Sequence, residues 1–489
     1  MEGSVKMNKQ TNQLNSFFIA EYRDFLKKYL FRLLGIPHCK LIKCRYNYTS
    51  KDCVSLINNR IYFSAAGQQL FWIAYDPVLT ADNLRLAKVV IEAFFQFSEH
   101  QASKPEKHNN LIEAQRKNKI YNMAIQVGIC SWITGSTESK RTEQLFNILE
   151  QWSVKTYEGR NVTMGFVIDP NRKSSIGLSS REWLSFLDDD CSAVLSDCIH
   201  SIFELDQNCN FLGYRSITEQ GALPYSNLNE KIPLRFMNIV QQFVPEDPEN
   251  EKTNRVGIFL LSNGDIILAK DGVIRFVKRN LQWLNLSYDA FRNGIEGFLQ
   301  NTYGDSIPDA AEKLILNIYA SVLDVSFSHT GGIIAIVGDK WEMKTDGLAP
   351  VDTILNVSDN LILNEEIIKE KEEESNLGVD STVLKERRAD QSKRAVKRKI
   401  IRHMIKQKSF VSLDRKLRSE LIALDGACIL KPDGTVYSFG AIIQNDSGSS
   451  GGGRAAAAKK LSQYGMAVKV STDGYIELYV NSVPVYTIK

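Results

Sequence analysis

Cysteine is scarce in this chain: eight residues in 489, at positions 39, 44, 53, 130, 191, 198, 209 and 428, with no C-x-x-C pair. That usage argues against a disulfide framework and a Cys-rich zinc site, and fits a reducing cytoplasm. Histidine is scarcer, six residues scattered at 38, 100, 108, 200, 329 and 403 without ligand spacing and with no H-E-x-x-H run, so a dedicated zinc centre is not expected. Long apolar runs are missing too. Spanning a bilayer takes about 20 mostly apolar residues, and charge-free stretches such as 120–137 are interrupted by Asn, Gln, Ser and Thr. Near the start, two Lys precede an apolar run of only Phe17 to Ala20 before Glu21, too short for a secretory signal. The chain is therefore expected to be cytoplasmic, with no membrane partner. Charge of one sign is also lacking overall: 60 basic against 57 acidic residues leave +3, which as an average gives no reason to expect a nucleic-acid or membrane-surface protein.

What is present is an ordinary globular composition, 43% hydrophobic and 24% charged, long enough at ~100–200 residues per domain for two to four packed units. From Asn15 to about Tyr225, helical runs such as FFIAEYRDFLKKYLFRLL and LRLAKVVIEAFFQF alternate with β-rich runs such as RIYFSAA and LFWIAYD, an α/β pattern. The polar stretch Ser98 to Asn118 reads as a loop or joint, closing a first α/β region at 1–118. From Arg255, VGIFLL, IILAK and VIRFVKR are separated by Asn-Gly and Asp-Gly steps, which predicts a small β-meander at about 255–280. A further unit opens near Asn301: Asp309 to Leu323 is a helix with Ile315, Ile318, Tyr319 and Leu323 on one face, and it leads into the all-apolar run GGIIAIV, a central strand.

The strongest shift in composition lies at 365–408. Glu365 to Glu374 holds six Glu and two Lys, after which Lys385 to Lys408 holds eleven Lys or Arg against Glu386 and Asp390. Val396, Ile400, Ile401, Met404 and Ile405 recur there at helical spacing, so the basic part reads as an amphipathic helix with a charged outer face. A solvated helix is the plain reading; a nucleotide- or DNA-steering surface is the competing one.

Chemistry is best sought near the end of the chain. LDGACILKPDGTVYSFGAII (424–443) is a strand, a Pro-Asp-Gly turn and a returning strand, with Asp425 at the strand mouth and Gly426 allowing close backbone approach. NDSGSSGGGRAAAAKKLSQYG (445–465) is a Ser/Gly loop running into an Ala-rich helix that ends at Gly465. Such a loop exposes backbone N–H groups where the helix dipole favours an anion by ~0.3–1 kcal/mol, and Arg454 adds a full charge. Gly448 to Gly453 has the Walker A spacing, but Arg454 and Ala455 replace the required Lys and hydroxyl, so a P-loop NTPase is disfavoured. Gly135-Ser136 lacks the alternating carboxylates of a polymerase-β-like nucleotidyltransferase, since TEQLFNILEQW is helical. Asp188 to Asp190, directly after EWLSFL, end a helix rather than hold a metal.

Taken in order, GGIIAIV (331–337), Asp425-Gly426-Ala427, GGGRAA (451–456) and VSTDGYIELY (470–479) resemble the diadenylate cyclase domain. This is the catalytic domain of the DNA-integrity scanning protein and of the membrane-bound cyclases that make cyclic di-AMP. Residues 119–300, notably NGDIILAKDGVIRFVKRN, look similar to sensor regions joined to divergent bacterial members of that family. The resemblance implies an α/β fold: a mixed central sheet flanked by helices in a C-terminal cyclase-like domain (301–489, with 365–408 a charged insert), preceded by an α/β sensor-like region. It also implies a nucleotidyltransferase that condenses two nucleoside triphosphates, ATP by default, in a homodimer or larger assembly whose sites face one another.

By the same resemblance, Asp425 activates the 3′-hydroxyl or holds Mg2+ or Mn2+. Gly426 and Ala427 present backbone to the nucleotide. Ser449, Ser450, Gly451, Gly452, Gly453 and Arg454 cradle the phosphates, and Ser471, in the closing hairpin, is a further nucleotide-binding residue. Where the family has Arg-His-Arg, this chain has Gly452, Gly453 and Arg454, a loss of two side chains that removes ~10²–10⁴ in rate if nothing replaces them. Lys459, Lys460 and the basic helix are the candidate replacements. A non-adenine or linear product, or a nucleotide-binding sensor without catalysis that signals to an effector protein, are the alternatives.

Overall fold

The computed structural model describes residues 16–36, 39–45, 48–75, 79–99, 110–135, 140–173, 178–189, 192, 195–217, 229–244, 255–338, 361–362, 409–444 and 452–488, together with Ile400, His403 and Ile405. The molecule is mixed α/β, built on three principal sheets. The first is a four-stranded antiparallel sheet ordered Ile42–Lys43, Gln68–Ala74, Arg60–Ala65, Val54–Ile57, and the helices Ser16–Phe25, Ala81–Glu99 and Asn110–Thr134 share its hydrophobic cluster. Asn110–Thr134 packs against Ala81–Glu99. The polar stretch 98–118, expected as a loop, is thus helical from Asn110 onward, and the expected boundary at 118/119 falls inside a helix. Its early charges hid the apolar face that Tyr121, Ala124, Ile125 and Ile129 present to the core.

The expected β-meander is present as Val256–Leu260, Ile266–Lys270 and Val273–Arg279, but it is only part of a larger sheet. Seven strands run in the order Gln282–Asn285, Val273–Arg279, Ile266–Lys270, Val256–Leu260, Met164–Asp169, Ser201–Asp206, Phe211–Ser216. All neighbours are antiparallel except Met164–Asp169 with Ser201–Asp206. The reason is burial. Every residue of Val256–Leu260 and of Met164–Asp169 is buried, so each strand needs partners on both edges and cover on both faces.

A second seven-stranded sheet closes the chain: Leu361–Ile362, Val436–Ala441, Ala427–Leu430, Gly332–Val337, Gly465–Val470, Ile476–Val480, Val483–Ile488. Gly332–Val337 and Ala427–Leu430 are parallel, and the other pairs are antiparallel.

Between the middle and C-terminal sheets lies the helix Asp309–Ser328. Its expected apolar face is there, but the burial goes all the way round from Leu314 to Phe327, apart from Leu316 and Lys313-side positions near its start, because sheets press on it from two sides. Period-2 alternation divides the sheets cleanly. Ile334, Ile336, Cys428, Leu430, Met466 and Val468 face the layer of this central helix, whereas Ile333, Ala335, Ala427, Ile429 and Ala467 face the helix Gly452–Leu461 on the outside.

Buried charge stitches the layers. Asp324 of the central helix accepts from Arg415 (Nε, 2.8 Å), from the Leu234 backbone N–H (2.7 Å) and from Ser419 Oγ (3.4 Å), while Glu230 takes Arg418 at 3.2 Å. Burial raises the Asp324 carboxyl against the opposing pull of Arg415. No helix among the described residues is long and apolar enough to cross a membrane.

Candidate functional site

Register brings the candidate residues together. Ile333 pairs with Ala427 in the parallel ladder and Gly332 with Val470 in the antiparallel one. Gly331, Asp425 and Ser471 therefore sit at the same end of three adjacent strands. Into that end comes the helix Gly452–Leu461, whose third residue is Arg454. A Cβ built on Gly331, which has φ +70°, would lie 3.1 Å from Arg454 Nη1 and 3.3 Å from the Thr472 backbone nitrogen. The guanidinium thus rests over the mouth of the first strand, beside the turn that begins at Ser471.

Asp425 is exposed and makes no ion pair with any described residue, so its carboxylate faces outward at the strand mouth. Gly426 permits the close backbone approach expected of it. At φ +100° its missing Cβ would sit 2.4 Å from the Gly440 carbonyl carbon and 2.7 Å from the Ala441 nitrogen. The close approach it permits is to the neighbouring strand, and this lets Asp425 leave the sheet at a sharp angle. Ala427 is fully buried against Ala457 and Ala458 of the outer helix, where only a small side chain fits.

The Ser471 hydroxyl accepts from the Tyr475 N–H at 3.1 Å, and the backbones of the two residues also pair. Its role is at least partly to close that turn. Ser449, Ser450 and Gly451 lie outside the described residues, as does the charged stretch 365–408 apart from Ile400, His403 and Ile405.

Gly452 and Gly453 open the outer helix, and a Cβ on either would meet no described residue within 4 Å. Packing against the described residues demands neither glycine, although Gly452 has φ +79°. Lys459 and Lys460, proposed as replacements for the missing Arg and His, are at the other end of the helix. Lys459 lies over the Tyr479 ring and Lys460 donates to the Gln444 carbonyl at 2.7 Å. Gly465 is not a left-handed helix cap. Its backbone is extended and opens the strand Gly465–Val470, where a Cβ would meet the Ile336 carbonyl oxygen at 2.1 Å.

Among the described residues no group of three or more His, Cys, Asp or Glu gathers into a metal-binding cluster. Mg2+ is commonly held by one or two carboxylates plus substrate phosphates, and an exposed Asp425 at the strand mouth fits that mode. Two residues went unnoticed in the sequence. The Thr472 backbone nitrogen and Arg454 Nη1 both border the space that a side chain on Gly331 would fill, and His329 donates from Nδ1 to the Thr472 carbonyl at 3.1 Å. The only signal for His329 was its position two residues before the Gly331-Gly332 pair.

A cavity of about 300 Å3 opens beside this end of the sheet, between Leu234, Phe327, Thr330, Lys416 and Ala423. A larger one, about 490 Å3, lies away from it, between Asp82, Trp132, Lys231, Arg275 and Tyr288. No protein-family model matches the chain, and no curated protein matches it.

Proposed function

We propose that the C-terminal sheet and its outer helix bind a nucleoside triphosphate, and that the chain is a nucleotidyltransferase condensing two such molecules into a dinucleotide signal. Cyclic di-AMP from ATP is the default product. The observation that carries this reading is the placement of Asp425, Arg454 and Ser471, which lie in separate segments of the sequence, at the same end of three neighbouring strands, with Arg454 in the first turn of a helix. In this reading Asp425 is the acid–base or metal-holding carboxylate, and Arg454 with the first helical N–H groups receives phosphate charge. Mg2+ or Mn2+, bound by Asp425 together with the nucleotide, supplies neutralisation of the polyphosphate. Because each hydroxyl attacks a phosphate held by another chain, a homodimer or larger assembly is part of the proposal. The sensor-like region, acting within the chain, regulates it.

Incubation with each nucleotide plus Mg2+ or Mn2+, followed by mass spectrometry and a pyrophosphate assay, tests the reading. Pyrophosphate release and a dinucleotide product, both lost in Asp425→Asn, are expected. No release from any nucleotide sinks the enzyme reading. A nucleotide-binding sensor that signals to an effector protein is the second reading, favoured by Gly452 and Gly453 standing where the family has Arg and His; calorimetric binding without turnover would select it. A DNA-contacting arm at 385–408 is a third, and it requires affinity for DNA that falls steeply with salt.

A further inference from the structure

Four residues of the middle sheet and the end of the central helix converge on the turn that carries Ser471. That turn is closed by Ser471 N–H to Tyr475 O and Gly474 N–H to Ser471 O, each 2.9 Å. From the middle sheet, the connection between Val256–Leu260 and Ile266–Lys270 supplies Asn263 and Asp265. Asn263 pairs with the His329 imidazole, and Asp265 Oδ2 stands 3.6 Å from His329 Nε2. The carbonyl of Thr472 can only accept, so His329 carries a proton on Nδ1 and passes this contact directly into the turn.

A second route runs along Val273–Arg279. Arg279 grips Asp265 with Nε (2.9 Å) and Nη2 (2.6 Å), both side chains almost fully buried. Its Nη1 reaches Ser326 Oγ at 3.5 Å, and Ser326 donates to the Gly474 carbonyl. A Cβ on Gly474, at φ +77°, would lie 2.3 Å from Arg279 Nη1, so the turn is pressed against the guanidinium. Next along the chain, Asn280 donates to the Tyr475 hydroxyl at 2.7 Å.

Asn263 and Asn280 are exposed and His329 is only partly buried, so these contacts add little to the apolar core. Polar contacts of this kind contribute about 0.5–1.5 kcal/mol each. What they specify is where the turn sits, and the Thr472 nitrogen in that turn and Arg454 Nη1 both border Gly331, within 3.3 Å and 3.1 Å of where its Cβ would lie. We infer that the middle sheet positions the Ser471–Tyr475 turn, and with it Arg454, through His329, Arg279 and Asn280, so that the middle unit regulates the proposed nucleotide site. His329 and Asn280 are positioning residues here. The inference rests on the nucleotide reading for its functional consequence, though not for the geometry.

Tyr475→Phe removes only the hydroxyl that Asn280 holds, and His329→Asn keeps a residue tolerant of the left-handed backbone at that position (φ 53°). Hydrogen exchange of the segment 471–475 is measured in the full chain without nucleotide, alongside the thermal midpoint. Exchange at least about 10-fold faster in both variants, with the midpoint nearly unchanged, is expected; unaltered exchange would overturn the positioning inference. Calorimetric titration with ATP and Mg2+ then reads the consequence, with Arg454→Met as the control. Affinity weakened about 5- to 20-fold in Tyr475→Phe and His329→Asn supports regulation. Loss of affinity in Arg454→Met alone rejects regulation while leaving the nucleotide site standing. If the unaltered chain binds no nucleotide, the site reading and the regulatory consequence both fall, and the exchange data still decide the positioning.

Discussion

Removing the Asp324 carboxylate should be among the most costly single changes in this molecule. Asp324 Oδ1 takes the Leu234 N–H at 2.7 Å and Arg415 Nη2 at 3.1 Å, while Oδ2 takes Arg415 Nε at 2.8 Å. In Asp324→Ala, Arg415, 4% exposed, keeps only the Ile232 carbonyl at 2.6 Å and Glu230 at 3.5 Å, and Glu230 is shared with Arg418. Stripping one partner from a buried pair costs about 3–5 kcal/mol. Asp324→Asn keeps an acceptor for Leu234 and the shape of the site, so a smaller loss of about 1–3 kcal/mol is expected. Asp324→Leu combined with Arg415→Met replaces the pair by apolar groups and should recover most of the loss. Equilibrium urea unfolding of the four proteins measures this. A loss below about 1 kcal/mol in Asp324→Ala, or a double variant no better than the single, would refute the claim that the charge of Arg415 is what makes the carboxylate necessary.

Gly426→Ala combines a left-handed backbone, worth about 1–3 kcal/mol, with a 2.4 Å collision against Gly440; a lowered thermal midpoint by circular dichroism is expected, and a midpoint equal to the unaltered chain's would contradict the geometry. Gly453→Arg places its Cβ more than 4 Å from any other described residue, so the thermal midpoint should hold while calorimetry shows several-fold tighter nucleotide binding; weaker binding would count against phosphate at this helix end. Burial pushes the Cys198 and Cys428 thiols up to about 12 and Cys209 to about 11, from an ordinary value near 9. Unfolded thiols ionise first, so the stability from keeping them protonated is fully present below pH 9 and is lost as pH rises toward 11–12. The urea midpoint should fall over that range, and less steeply in a triple Cys→Ala chain; identical slopes would refute the assignment.

The local chemistry of the fold was legible where turns and periodicity spoke for themselves. Asn-Gly and Asp-Gly steps marked the three meander strands, and the apolar stripe of Asp309–Ser328 marked the central helix. What escaped was anything set by long-range pairing. Nothing in Met164–Asp169 announces that it will lie beside Val256–Leu260, some ninety residues on, because a strand buried on both faces carries no alternation to read. At the candidate site, Asp425 and Arg454 were picked out by residue type and Ser471 by the resemblance, and the close approach expected at Gly426 was legible, whereas its partner Gly440 is visible only once the strands pair. His329 was dismissed for lack of ligand spacing, yet its value lies in a carbonyl 143 positions away.

The last turns of the central helix explain why a middle sheet could matter to a site it does not form. Asp324 holds Arg415 and Ser419 of the helix Arg415–Ala423, which leads directly to Asp425. Ser326 and His329, one turn further on, hold Gly474 and Thr472 of the turn that begins at Ser471. On the opposite side, the same short stretch is met by Leu234, Asn263 and Arg279 of the middle unit. A displacement of the middle sheet must therefore act on both flanks of the strand ends together, on the helix leading to Asp425 through one set of contacts and on the Ser471 turn through the other. Opposed movements of Asp425 and Ser471 would require the central helix to unwind between Asp324 and His329, where buried Val325 and Phe327 fix it in the core. The physical expectation is thus a concerted shift, with Asp324→Asn and His329→Asn non-additive in hydrogen exchange at 471–475, and additive effects would show that the two flanks move independently.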